Sequence, residues 1–407
     1  MDHSATIDTG DTAWMLISTA LVLLMTPGLA LFYGGMVRRK NVLGTLMHSV
    51  FAIAVVSVQW VVVGYSLAFG RDHGGFIGGF EHLLLSGATG AKGTIPHFVF
   101  VAYQGMFAVI TPALIAGAFA ERIKFPAYVL FILLWTTLVY DPVAHWVWAE
   151  GGWLFRMGAL DFAGGTVVHL ISGVSALVFV RVIGPRLGFG RDKIIPHDVP
   201  MTILGAGLLL FGWIGFNAGS ALGANQLAAL ALVTTWVAAA AGGIGWTVAE
   251  WKRHGKPSTL GAASGIVAGL VGITPAAGFV GPGPALFIGF AAGVVCFVAV
   301  SSKMRLGYDD SLDAFGVHGV GGMLGALLTG VFASKAWNEA GQNGLLHGHA
   351  AQLGVQALGV VAAGAYAAVV TYVILVVVKA LVGLRVEEAD EREGLDTTQH
   401  GEEAYNA

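Results

Sequence analysis

The chain has 407 residues, of which 56% are hydrophobic and only 11% charged, with a formal net charge of −3. Soluble domains carry about 25% charged residues, so this balance marks a protein that crosses a membrane many times. No basic cluster points to nucleic acid, and a single cysteine, Cys296, excludes an internal disulfide and argues against a metal or redox site.

The opening stretch MDHSATIDTGDTAW holds no Lys or Arg. It therefore lacks the basic region of a signal peptide, and the apolar run behind it reads as a retained first span. Apolar runs long enough for a hydrocarbon core of roughly 30 Å predict spans over 13–37, 43–69, 98–120, 125–148, 163–183, 199–221, 227–250, 259–279, 284–302, 315–333 and 350–382. The predicted fold is an all-α polytopic membrane protein of eleven transmembrane helices. With the N-terminus outside, 17 of the 21 Lys and Arg fall in or beside inner loops, and only Arg71, Lys92, Arg156 and Lys335 lie outside. That asymmetry predicts an N-out, C-in topology. Residues 1–383 then form one transmembrane domain and 384–407 a cytoplasmic tail. Sixty glycines suit helices that pack closely in lipid.

Two short patterns occur twice. Phe32, Gly35, Asn41 and Leu43 share F-x-x-G-x5-N-x-L with Phe216, Gly219, Asn225 and Leu227. Asp161 to Gly173 and Asp310 to Gly322 share D-x6-V-H-x-[IV]-x-G. Both matches set spans 1–5 against 6–10, the long loop over 70–97 absorbing the difference in offset. Five spans is an odd number, so the two units run in opposite directions, the arrangement of transporters and channels with a midplane site.

His169 lies eight residues past Asp161 and His318 eight past Asp310. At 1.5 Å per residue, each histidine is about 12 Å inward from its own side, and the two are expected to meet near the middle. Ionisable residues at that depth favour function over packing. Neutral imidazoles donate and accept at once, which suits a small neutral hydrogen-bonding guest or a proton relay. No Cys or Glu lies at that depth to complete a zinc site. Asp161 is expected to cap the outer end of span 5, taking N–H bonds from the Ala163–Gly164 region. On a continuous helix it would point about 80° away from His169. Phe107, Trp148, Phe216 and Ser220 fall in the outer half, where aromatic faces and a hydroxyl can hold a small cation.

The segments PGLALFYGGMVRRKNVL, GALDFAGGTVVHL, GFNAGSA, DDSLDAFGVHGVGG and GLRVEEADEREGLDTTQHGEEAY together resemble the ammonium transporter (Amt) branch of the Amt/Rh family over essentially the whole chain. The resemblance implies a homotrimer in the plasma or inner membrane with one pore per protomer. Phe107, Trp148 and Ser220 would recruit ammonium, supported by Asp161, and Phe107 and Phe216 would form the gate beneath. His169 and His318 would be the twin-histidine pair, with Tyr103 and Trp213 lining vestibule or pore. Tyr103 stands where the family's phenylalanine is expected. The tail from Leu384 is similar to the segment associated with a PII-type regulatory protein. The implied activity is capture of ammonium, its deprotonation and conduction of ammonia, the proton moving separately and no cofactor taking part. An ammonium sensor signalling through its tail and an Rh-like channel for neutral ammonia are the alternatives. An intramembrane enzyme is disfavoured, because no nucleophile–base pair or metal set is present.

Overall fold

The structure is a computed structural model and describes residues 6–405. In chain order its long helices are α1 (Thr9–Met36), α2 (Arg39–Phe69), α3 (His97–Phe119), α4 (Phe125–Arg156), α5 (Gly165–Ile183), α6 (Val199–Ala221), α7 (Gln226–His254), α8 (Thr259–Ile273), α9 (Pro282–Leu306), α10 (Phe315–Phe332) and α11 (Ala351–Val382). Ten of them are long and apolar enough to cross a bilayer, and the 15-residue α8 is the shorter eleventh. Two short helices, α12 (Glu388–Glu393) and α13 (Leu395–His400), follow in the tail.

Polar side chains fix several starts by satisfying backbone N–H groups that have no partner within the helix. Asp8 accepts from Asp11 N at α1, Asp198 from Met201 N at α6, Asn225 from Ala228 N at α7 and Ser258 from Gly261 N at α8. The eighth span is shorter than the 259–279 expected from hydropathy. Pro275 disfavours helix at Thr274, so α8 stops at Ile273 and the apolar residues beyond it form turns. Those turns tuck under the start of α5, where Phe162 N donates to Pro275 O at 3.1 Å.

The connections gather on two faces. On the N-terminal face, the loop between α2 and α3 forms two small hairpins, Asp72–His73 with Ile77–Gly78 and Ala91–Lys92 with Ile95–Pro96. On the tail face, Glu121 sits between Arg38 (3.0 Å) and Arg186 (2.9 Å), and Arg186 also grips Asp309 at 2.7 Å. Burial, the largest single influence, pushes Glu121 and Asp309 upward, but Arg186 and Arg38 together at Glu121, and Arg186 and Arg122 together at Asp309, outweigh it, and each carboxyl sits below its usual range. The tail is tied in by a reciprocal exchange: Leu395 N donates to Asn41 Oδ1 and Gly44 N to Asp396 Oδ1, both at 2.8 Å. Asn41 therefore serves the tail, whereas its repeat counterpart Asn225 caps its own helix.

The two halves meet through glycine. α1 packs along α6, and α5 crosses α10 where Gly173 lies against Gly319 and Gly322 against Gly165 and Leu170. Gly173 and Gly322 hold the same place in the repeated pattern, so the crossing repeats itself about a local two-fold.

Candidate functional site

The site is built from the starts of α5 and α10. Residues 160–164 are not helical, and Gly164 turns the chain inward at φ 110°, a conformation that excludes most side chains. Asp161 Oδ1 accepts from Gly164 N (2.8 Å) and Gly165 N (2.6 Å), and its Oδ2 from Thr166 N (2.8 Å) and Val167 N (3.1 Å). The cap therefore reaches deeper than the Ala163–Gly164 region. Because Asp161 is off the helix, the 80° helical offset does not describe its relation to His169. His169 stands instead in the first turn of α5, which is a π turn over Gly165–Leu170. Asp310 does the same for α10, accepting from Ala314 N (3.1 Å) and Phe315 N (2.8 Å) ahead of the π turn Phe315–Gly319 that holds His318.

Two helices starting from opposite faces thus bring the imidazoles together. Their rings lie 5.3 Å apart at 22°, with Nδ1 facing Nδ1 at 3.3 Å. One of these nitrogens donates and the other accepts, so the two rings hold complementary tautomers. His169 Nε2 has no protein partner among the described residues. Trp213 stacks on His169 at 5.3 Å and is itself held by its indole N–H to Thr274 Oγ1 at 2.9 Å.

A row of cavities runs through this pair. On the N-terminal face, a cavity of about 130 Å³ is lined by Phe69, Phe100, Gln104, Phe107, Trp148, Phe162, Ser220 and Leu222. Phe107 closes it toward Phe216, whose ring lies beyond with centroids 4.3 Å apart, and Trp148 stands edge-on to Phe107 at 5.8 Å. Beyond Phe216 a narrow space of about 10 Å³ has apolar walls apart from His169, His318 and Trp213. His318 joins it to a further space of about 20 Å³ that includes Asp313 and Ser264. Asp313 in turn borders a tail-face vestibule of about 380 Å³.

The residues singled out from sequence occupy this row, with two qualifications. Asp161 is not in the wall of the outer cavity but behind it, its carbonyl accepting the Trp148 indole N–H at 2.9 Å. Tyr103 lines neither the N-terminal-face cavity nor the histidine space. It is fully buried, and its hydroxyl lies 2.9 Å from both Gly215 O and Phe216 O and 3.2 Å from Ser220 Oγ. It supports Phe216 and Ser220 from behind. Gln104, Phe100 and Phe162 were missed. Gln104 is one position from Tyr103 and three from Phe107, and that spacing on α3 was the available signal.

Two oppositely oriented helical units around a row of cavities define a multi-pass membrane protein of the transporter kind. The Ammonium Transporter Family profile matches residues 13–405, and the chain belongs to that family. It is 52% identical to an ammonium transporter of Aquifex aeolicus over 99% of this chain and 95% of that one. Identity is 51% to an ammonium transporter of Bacillus subtilis, over 97% and 98%. The crystal structure of Saccharomyces cerevisiae Mep2 superposes with a TM-score of 0.90 at 40% identity, covering 96% of this chain and 90% of that one.

Proposed function

We propose that this protein carries ammonium across the plasma or inner membrane by stripping it to ammonia. The observation that carries this reading is the stacked Phe107–Phe216 pair, which divides an aromatic, hydroxyl-bearing cavity from an apolar one whose polar lining is two imidazoles and an indole. The outer cavity suits a cation: Phe107 and Trp148 offer π faces and Ser220 an oxygen. The inner cavity does not, since an unpaired ion in apolar surroundings costs many kcal/mol, whereas neutral ammonia costs far less. The proton therefore leaves at the phenylalanine gate, and ammonia passes along His169 and His318, which can accept from it and donate to it. The proton travels separately. Potassium has no proton to give up and is refused.

In this reading the N-terminal face is outside, which the distribution of Lys and Arg supports. Asp161 holds the mouth of α5 and, through its carbonyl, Trp148. Three copies assemble, each with its own pore, and the tail offers the docking surface for a PII-type protein. The test is an ammonium-concentration jump on proteoliposomes adsorbed to a solid-supported membrane. Wild type should give an ammonium-evoked current with none for potassium, and replacing both His169 and His318 by leucine should abolish it. An undiminished current in that double variant would overturn this role of the histidine pair.

A further inference from the structure

A second titratable site lies outside the cavity row, in the seam between α2 and α4. Asp141 is fully buried, sixteen residues into α4, immediately after the π turn Thr136–Tyr140. Gln59 lies opposite on α2, immediately before that helix's own π turn, Trp60–Gly64. Single π turns of this kind collect at functional positions. Gln59 Nε2 donates to Asp141 Oδ2 at 2.7 Å and to Thr137 Oγ1 at 3.1 Å. The amide fits because Gly64 leaves the room: a Cβ there would meet Gln59 Oε1 at 2.6 Å.

The donor count is the telling feature. Asp161 receives four backbone N–H groups, and Asp309 receives the backbone N–H and guanidinium of Arg186. Asp141 receives one neutral amide, and its Oδ1 has no partner among the described residues. Gln59 Oε1, and Thr136 Oγ1 and Tyr140 OH on the π turn of α4, are likewise unpartnered among the described residues. A carboxylate buried with a single donor is strongly disfavoured, whereas a neutral carboxyl gains an O–H that can use such acceptors.

One turn further along α4 a second polar pair reaches toward the surface. His145 stands one turn above Asp141 on the same face of α4, its Nδ1 2.9 Å from Ala68 O and its Nε2 2.9 Å from Asp72 Oδ1. Asp72 is partly exposed on the N-terminal face, and its carboxyl is held below the usual range, first by the His145 bond, with Arg156 also near. Gln59 from α2 is thus the side chain bonded to Asp141, with Tyr140 beside it and His145 one turn further along α4, and Asp72 and Arg156 beyond His145.

We infer that Asp141 is a proton-binding site within the membrane, loaded from the N-terminal face past Asp72 and His145 and separate from the histidine pair. The inference does not depend on the ammonium reading. It is tested by infrared difference spectroscopy of the whole protein in vesicles during exchange from H2O to D2O at neutral pH. The carbonyl stretch of a protonated carboxyl should be present, should shift in D2O, and should vanish in Asp141→Asn, which keeps the bond to Gln59. His145→Gln should leave the band in place and slow its shift several-fold. Absence of the band, a band that never responds to D2O, or an exchange rate unaffected by His145→Gln would each overturn the proposal.

Discussion

Gly322→Ala probes the crossing that sets the histidine pair. A Cβ at this position would lie 2.6 Å from Gly165 O, 2.9 Å from Leu170 N and 3.0 Å from His169 Cβ. Two of these three atoms are backbone, so no side-chain rotation relieves the contact. Ordinary contact begins at 3.4 Å, so α10 must withdraw from α5 by about 0.8 Å. His318 sits one turn away on the same helix, and its Nδ1 is only 3.3 Å from that of His169. The same displacement takes the pair to about 4 Å, beyond hydrogen-bond reach. Overpacking of this kind costs about 1–3 kcal/mol, and an error of this size at a positioned pair is expected to slow transport by about tenfold or more. The comparison is Gly354→Ala on α11, where nothing lies within 4 Å of the added methyl. That change should leave transport intact and stability equal or slightly higher. Ammonium uptake into proteoliposomes and thermal unfolding in detergent measure both. If Gly322→Ala transports and melts like Gly354→Ala, the close crossing is not what aligns the imidazoles.

Three further outcomes follow from the caps and the tail-face ion pairs. Asp161→Ala strips four buried N–H groups of their acceptor, a loss of about 4 kcal/mol at roughly 1 kcal/mol each, while Asp161→Asn retains one acceptor oxygen and should lose about half. Denaturant unfolding checks the order wild type, Asn, Ala, and equal midpoints would refute the cap. Glu121 and Asp309 are held below their usual carboxyl values, so their stabilisation is complete above about pH 4.5 and is lost as pH falls through the lowered values. Glu121→Gln should flatten the acid limb of a plot of unfolding midpoint against pH, and an unchanged limb would show that the cluster contributes nothing. Asp396→Ala removes the acceptor of Gly44 N and should cost about 1–2 kcal/mol and raise protease sensitivity of the tail, which limited proteolysis would register.

What could be read from sequence follows from the range over which each signal acts. The D-x6-V-H pattern is local, and the acid, the turn and the histidine it names belong to one structural unit, so the repeat and the convergence of His169 with His318 were legible. A rise of 1.5 Å per residue does not apply from Asp161 to His169, because residues 161–164 are non-helical and the helix begins at Gly165. Hydropathy cannot see such turns when they are themselves apolar, which is also why α8 was drawn six residues too long past Pro275. The wall position expected for Tyr103 rests on the family resemblance alone. Its hydroxyl's partners on α6 lie more than 100 residues away. The exchange between Asn41 and Leu395 and the pairing of Gln59 with Asp141 are illegible for the same reason, being set by tertiary proximity.

One local device accounts for both the repeat and the pore. An aspartate ahead of the helix gathers the first N–H groups, and a π turn directly after it carries the histidine. Such a start lies well inside the protein, because the carboxylate takes over the solvation that water would otherwise give the helix end. Two such helices entering from opposite faces can share one level only if small residues let their backbones touch, and Gly173 and Gly322 meet that requirement at equivalent places. The cap, the π turn and the glycine are therefore one constraint. Loss of any of the three should move the imidazoles apart, even though neither the capping aspartates nor these glycines line the cavity row.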